Sequence, residues 1–127
     1  FVAPFSARLL ADAALTSGVP VHCVYGNNDG ERKGLKGILP QLVDGPLRLE
    51  LGGKAIVLHH YDQWIDPAAL AGADIVVSGH THEIVREKRD GIFYLNPGEC
   101  CGILSGRATA AVLDTETMDV EILDLAE

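Results

Sequence analysis

Residues 75–82 read Ile-Val-Val-Ser-Gly-His-Thr-His, and this stretch decides the fold. Its first three residues form a continuous apolar run, which is typical of a central strand covered on both faces. Ser78-Gly79 then ends the strand, and two histidines follow at alternate positions. Because alternate side chains of an extended segment point the same way, His80 and His82 can reach one metal ion or two adjacent ions. The stretch therefore predicts a sheet with a polar site at the end of its central strand.

The segments around this strand show helix and strand periodicity in turn. The elements predicted upstream are a helix over 4–17, a short strand over 21–25, a helix over 30–41 and a hairpin over 47–58. Those predicted downstream are a short helix over 67–71, a hairpin over 83–96 and a second hairpin over 108–125. Helices come first and strands dominate afterwards. This order predicts a single α/β domain, layered sheet against sheet with helices outside.

Composition narrows the function. The 127 residues hold 10 Lys and Arg against 18 Asp and Glu, a net charge of −8, and 47% are apolar. The apolar fraction excludes a disordered tail, and the negative charge argues against stable nucleic-acid binding. A protein of this charge that handles phosphate needs another source of positive charge. No run approaches a membrane span, so no membrane partner is expected and a cytoplasmic location is predicted.

Two further counts bear on the chain's chemistry and extent. The cysteines do not suggest a disulfide framework, because their number is odd and two are adjacent: Cys23, Cys100 and Cys101. Met118 is the only methionine and Phe1 is the first residue. We therefore expect a processed chain or a sequence whose N-terminal part is missing.

Three polar clusters each follow a predicted apolar strand: Gly26–Asp29, His59-His60 and Gly79–His82. Ligand sites of α/β sheets gather at the carboxyl ends of strands, so the three clusters predict one site. His80 and His82 are expected to be metal ligands rather than solvated loop histidines. His59 is expected to be a ligand as well, the alternative being a buried histidine bonded to a backbone carbonyl. Imidazole ligands suit Zn, Mn, Fe, Ni or Co better than Ca or Mg.

Other polar residues near these clusters leave more than one interpretation open. His60 points away from His59 in a regular strand and would contact the ligands or the substrate. Asn27 lies in a turn-forming segment, yet its amide oxygen can ligate a hard cation. Asn28 has no proton to trade near neutral pH and cannot be a general acid. Residues 96–102 are predicted to form a rigid structural loop, which suits its cysteines better than metal ligation does.

Taken together in this order, four motifs resemble one family: GNNDG at 26–30, a strand end with His59, SGHTH at 78–82 and NPGECCG at 96–102. The chain resembles small prokaryotic phosphodiesterases of the calcineurin-like metallophosphoesterase superfamily, most closely archaeal members, over essentially its whole length. The resemblance implies a β-sandwich flanked by helices. It also implies metal-dependent hydrolysis of phosphodiesters by a metal-bound water or hydroxide.

The resemblance further assigns roles to residues. It implies two divalent metal ions. Manganese is the expected metal, and nickel, iron, cobalt or zinc are the alternatives. Asn27, His59 and His80 would ligate one metal, and His82 would lie on the other. Asn28 stands where many members carry a catalytic histidine. His60 replaces a small residue, where it can shift the metal geometry or partly substitute for the missing acid. A phosphodiester is the expected partner, and a homo-oligomer stays open.

The resemblance also has gaps. Relatives begin with strands that end in Asp-x-His and Gly-Asp, which supply three ligands, and neither motif occurs in these 127 residues. The first β-α-β portion is thus expected to be absent, so the fragment alone should bind metal weakly and show little activity. One alternative is a non-catalytic interaction scaffold, like the retromer subunit of the same family. A plain zinc-binding domain is the third interpretation.

Overall fold

The computed structural model describes residues 4–27, 29 and 32–125, and the chain divides into two compact units, Phe1–Gly45 and Pro46–Glu127. The fold is mixed α/β, as predicted, and the described residues form a central sheet and two α-helices. Among the described residues, none of the helices has the length and apolarity needed to cross a bilayer.

The first unit contains both α-helices and a small parallel sheet. Its elements are α1 (Pro4–Ser17), β1 (Cys23–Val24), α2 (Arg32–Ile38) and β2 (Leu42–Val43). The helix predicted over 4–17 is confirmed. It is followed by Gly18, whose φ of +71° suits glycine and whose N–H donates to the carbonyl of Ala14 at 2.9 Å. β1 and β2 pair in parallel.

The second helix is shorter than the sequence pattern predicts. The apolar spacing placed Leu42 on the buried face of a helix over 30–41, but Leu42 lies in β2. Pro40 disfavours the helical conformation of the residue before it, which explains why α2 ends early. Leu42 is nevertheless fully buried, in one cluster with Ala7, Leu35 and Leu39. The pattern therefore identified the core residue correctly and its secondary structure wrongly.

The second unit is built on a five-stranded mixed sheet in the order β3-β4-β5-β7-β6. These strands are β3 (Leu47–Leu51), β4 (Lys54–Leu58), β5 (Ile75–Val77), β6 (Ile84–Arg89) and β7 (Ile92–Pro97). Both predicted hairpins in this region are confirmed, since β3 pairs with β4 and β6 with β7 in antiparallel fashion. β5 is the middle strand, and Ile75 and Val76 are completely buried, as the apolar run predicts.

The direction of the strands positions the polar segments. β4, β5 and β7 are parallel to one another, so their carboxyl ends lie at one edge of the sheet. His59-His60 follows β4, Ser78–His82 follows β5, and Gly98-Glu99 follows β7. Three polar segments of the second unit therefore meet at the same edge.

The remaining elements complete the second unit. Two 3-10 turns, Asp62–Trp64 and Pro67–Leu70, follow β4, and the Asp66 side chain accepts a hydrogen bond from Ala68 N–H at the start of the second. β8 (Thr109–Leu113) and β9 (Val120–Asp124) form the last predicted hairpin.

Candidate metal centre

The loop after β5 has an unusual backbone. His80 and His82 have φ values of +70° and +64°, in the left-handed region that residues other than glycine rarely adopt. The prediction that His80 and His82 are alternate residues of an extended segment is therefore wrong. Non-glycine residues held in such regions cost free energy and cluster at functional sites, where the surrounding structure enforces them. The strain is thus a reason to look for function in the His80–His82 loop.

A buried side chain of β7 holds this loop in place. Asn96 is 3% exposed, and its Nδ2 donates to the carbonyl oxygen of Gly79 at 3.0 Å and to Oγ1 of Thr81 at 3.1 Å. Its Oδ1 accepts from Gly98 N–H at 3.0 Å. The Asn-Pro-Gly segment, predicted to be a structural turn, therefore also braces the histidine loop, a role that sequence reasoning missed.

The second histidine after β4 contacts the first histidine of the loop. Nε2 of His60 lies 3.1 Å from Nδ1 of His80, within hydrogen-bonding distance. The backbone N–H of His60 donates to Nδ1 of His59 at 2.8 Å. Since that nitrogen accepts, a neutral His59 carries its hydrogen on Nε2. His59 would therefore have to exchange this hydrogen bond for a metal bond in order to act as a ligand.

Two aromatic residues pack against these histidines. The ring of Trp64 lies 5.5 Å from His59 and 5.6 Å from both His60 and His80, centroid to centroid. The ring of Tyr61 lies 4.4 Å from that of His80. Sequence reasoning did not select either aromatic residue, although both follow His60 within four positions. Trp64 is itself 48% exposed, so this side of the histidine cluster remains open to solvent.

Glu99 lies beside the second loop histidine. Its side chain is 4% exposed, and Oε1 lies 3.5 Å from Nδ1 of His82. Both carboxylate oxygens accept from Leu104 N–H at 3.1 Å, and Oε2 accepts from Ser105 N–H at 2.6 Å. Cys101 Sγ donates to Oε1 at 3.3 Å. Burial raises the pKa of Glu99, but the amides of Ser105 and Leu104 outweigh it and lower the pKa to about 2.

The ring nitrogen of His82 that faces Glu99 is buried. Nδ1 makes no hydrogen bond to any part of the chain that the structure describes. Its 3.5 Å separation from the carboxylate is an ion-pair distance, slightly too long for a hydrogen bond. The side chain as a whole is 41% exposed. Since Nδ1 is buried, the exposed surface belongs to other atoms of the side chain.

These residues fit part of a metal site. Imidazole nitrogens and an amide oxygen are suitable donors for transition metals such as Mn²⁺ or Zn²⁺. Within residues 4–27, 29 and 32–125, however, no three His, Cys, Asp or Glu side chains are arranged to hold one ion. The four predicted histidines lie in the second unit and Asn27 in the first, while Asn28 lies outside the described residues.

Comparison with known proteins identifies the family. The family model described as the calcineurin-like phosphoesterase superfamily domain matches residues 1–118. The chain belongs to the calcineurin-like phosphoesterase superfamily, which confirms the resemblance expected from its motifs.

Individual relatives agree with this assignment. The chain is 42% identical over 100 residues to phosphodiesterase MJ0936 of Methanocaldococcus jannaschii, a match that covers 72% of the chain and 60% of that relative. A solved structure of an archaeal phosphodiesterase is similar with a TM-score of 0.73 and 32% identity, covering 92% of the chain and 76% of the other. The structure of Vps29 from Entamoeba histolytica complexed with Zn²⁺ has a TM-score of 0.54 at 23% identity, with coverages of 89% and 73%. This last likeness concerns the fold alone.

Proposed function

We propose that the protein takes part in metal-dependent hydrolysis of phosphodiesters at a dinuclear centre. The observation that carries the proposal is the strained His80–His82 loop, fixed by buried Asn96 at the carboxyl edge of the sheet in a phosphoesterase chain. The identity to an archaeal phosphodiesterase supports a diester as substrate. The chain spans 60% of that relative's length, so the activity of a whole protein is part of the proposal.

Each candidate residue has a role in this proposal. Asn27, His59 and His80 would ligate one metal, with His82 on the other. Bound divalent metals would supply a hydroxide near neutral pH and positive charge for the phosphoryl oxygens. The metals would thus supply the positive charge that surface side chains do not, since the net charge of −8 leaves these side chains poorly suited to attract phosphate. Manganese is proposed first, with nickel, iron, cobalt and zinc as alternatives.

His60 is proposed to prepare His80 and to serve the leaving group. When Nδ1–H of His80 donates to Nε2 of His60, the other nitrogen of His80 keeps its lone pair for a metal. Asn28, at the position of the usual catalytic histidine, cannot give a proton to the leaving group. His60 would take part of that role, or the enzyme would favour esters with good leaving groups.

The cellular setting is proposed from the sequence. We place the protein in the cytoplasm, with a phosphodiester as its substrate and neither a membrane nor a stable nucleic-acid partner. A homo-oligomer is compatible with these features.

A chromogenic phosphodiester assay tests the function. With added Mn²⁺, the unmutated chain should hydrolyse bis(p-nitrophenyl) phosphate weakly but above background, and His80→Ala should lower the rate to background. His22→Ala removes an exposed histidine that directly precedes β1, and this variant should leave the rate unchanged. Equal rates for the His80→Ala and unmutated chains would remove His80 from the mechanism. A chain that binds Mn²⁺ but hydrolyses nothing would favour the interaction scaffold instead.

A further inference from the structure

The carboxylate of Glu99 joins two segments. On one side it accepts the amides of Leu104 and Ser105, which lie in the loop between β7 and β8. On the other side, Oε1 is the atom that faces the buried Nδ1 of His82. No described atom forms a hydrogen bond with that nitrogen, so the carboxylate is its available acceptor.

The loop fixes where this carboxylate lies. The carbonyl oxygen of Glu99 accepts from Thr109 N–H at 2.8 Å, which ties its backbone to the start of β8. Gly98 precedes it with a φ of +85°, and a Cβ there would collide with Oγ1 of Thr109. The segment therefore requires glycine before Glu99 and holds the glutamate from both its backbone and its side chain.

We propose that Glu99 is a positioning residue for His82, whose Nδ1–H it holds as a hydrogen-bond donor so that Nε2 is left with the lone pair for a divalent metal. The inference rests on the proposed metal centre. Closing the gap between Nδ1 and Oε1 to hydrogen-bond length takes a shift of only about 0.5 Å. A carboxylate that orients a ligating histidine in this way fixes both its tautomer and its ring orientation.

A purely structural role for Glu99 makes a different prediction. If the carboxylate only closes its own loop, the hydrogen on the His82 ring is free to occupy either nitrogen. If it positions His82, the neutral ring carries its hydrogen on Nδ1. The tautomer of His82 in the metal-free chain therefore separates the two roles without any measurement of activity.

Glu99→Gln sharpens this difference. Oε2 accepts from both Ser105 N–H and Leu104 N–H, so a glutamine whose oxygen takes this place keeps both hydrogen bonds and turns its NH₂ group toward His82. An NH₂ group can only donate to Nδ1. The variant should therefore move the ring hydrogen of His82 from Nδ1 to Nε2, and the affinity for a metal should fall.

Two variants serve as matched controls. Cys101→Ala removes the thiol that donates to Oε1 but keeps the carboxylate beside His82. Glu83→Gln removes the charge of an exposed carboxylate one residue after His82. Neither variant should change the tautomer of His82 or the affinity for Zn²⁺. The amide resonances of Leu104 and Ser105 report whether the loop stays formed in each variant.

Long-range ¹H–¹⁵N correlation spectra of the histidine rings, recorded at about pH 8, give the tautomer. Titration with Zn²⁺ then gives the affinity. We expect an Nδ1–H ring in the unmutated chain, an Nε2–H ring in Glu99→Gln and binding of Zn²⁺ that is at least about 10-fold weaker in that variant.

The outcomes separate this inference from the proposed function. If His82 of the unmutated chain carries its hydrogen on Nε2, the inference is wrong, even if Glu99→Gln fails to fold. The inference is also wrong if Glu99→Gln has the same His82 tautomer and the same affinity for Zn²⁺ as the unmutated chain. An unmutated chain that binds no Zn²⁺ overturns the proposed metal centre, while the tautomer still decides whether Glu99 positions His82.

Discussion

Nδ2 of Asn96 donates to the carbonyl oxygen of Gly79 at 3.0 Å, and this bond fixes the loop after β5 to the end of β7. The same nitrogen also donates to Thr81, the residue between the two left-handed histidines. The hydrogen bonds of this buried amide thus offset part of the free-energy cost of the left-handed residues in the loop. The motifs SGHTH and NPGECCG act as one structural unit, although 13 residues separate the end of one from the start of the other.

Removing this amide should therefore cost stability. Asn96→Ala leaves the carbonyl of Gly79 and the N–H of Gly98 without the partners that Asn96 provides. We expect the free energy of unfolding to fall by about 2–3 kcal/mol, measured by urea denaturation. Gln63→Ala, which removes an exposed amide side chain, should change it little. Equal stabilities of the two variants would show that Asn96 does not hold the loop.

The strain at His82 predicts a variant that gains stability. His82→Asn places a residue that tolerates the left-handed region at φ +64°. We expect the free energy of unfolding to rise by about 1 kcal/mol, while metal binding weakens.

His82→Val is the matched opposite change. A β-branched side chain is poorly accommodated at a positive φ, so this variant should be less stable than the unmutated chain. If both substitutions destabilise the protein equally, the backbone at His82 is not strained in solution.

An ion pair away from the histidines predicts a dependence of stability on pH. The hydrogen bonds from Arg107 lower the pKa of Asp124 below its ordinary value of 3.8, against a smaller opposing effect of burial. Nε and Nη2 of Arg107 both contact the carboxylate, at 2.7 and 3.2 Å. Because the folded-state pKa is depressed, the stabilisation is complete above pH 3.8 and disappears as the pH falls through the folded-state value.

Arg107→Gln should therefore weaken the dependence of stability on pH in the acidic range. The unmutated chain and the variant should differ in thermal midpoint at pH 6 and converge at the most acidic pH where both fold. The difference should be small, because both side chains are largely exposed to solvent. A difference that grows as the pH is lowered would contradict the assigned role of the pair.

The sequence predicted most of the second unit because its signals are local. The apolar run Ile75–Val77 identified the central strand, and Asp90-Gly91 identified a hairpin turn in which both residues have positive φ. Leu42 shows the limit of this approach, since helical spacing continued past the point where Pro40 ends the helix. Periodicity reports burial, and it reports secondary structure only while the chain keeps one conformation.

The candidate site was predictable in its residue types but not in its geometry. His80 was selected from an extended conformation that the loop does not adopt, because contacts from distant Asn96 enforce another one. Glu99 and Trp64 were not selected at all. Their proximity to the histidines depends on how the carboxyl ends of β4 and β7 lie in the sheet, and no local sequence pattern encodes that arrangement.

The central claim, that the histidines after β4 and β5 bind a divalent metal, can be tested with the single tryptophan of the chain. Trp64 lies within 5.6 Å of His59, His60 and His80, so Co²⁺ bound there should quench its fluorescence. We predict saturable quenching in the unmutated chain and in His22→Ala, and its loss in the double variant His59→Ala/His80→Ala. Quenching that persists unchanged in the double variant, or that is absent from the unmutated chain, would contradict the account.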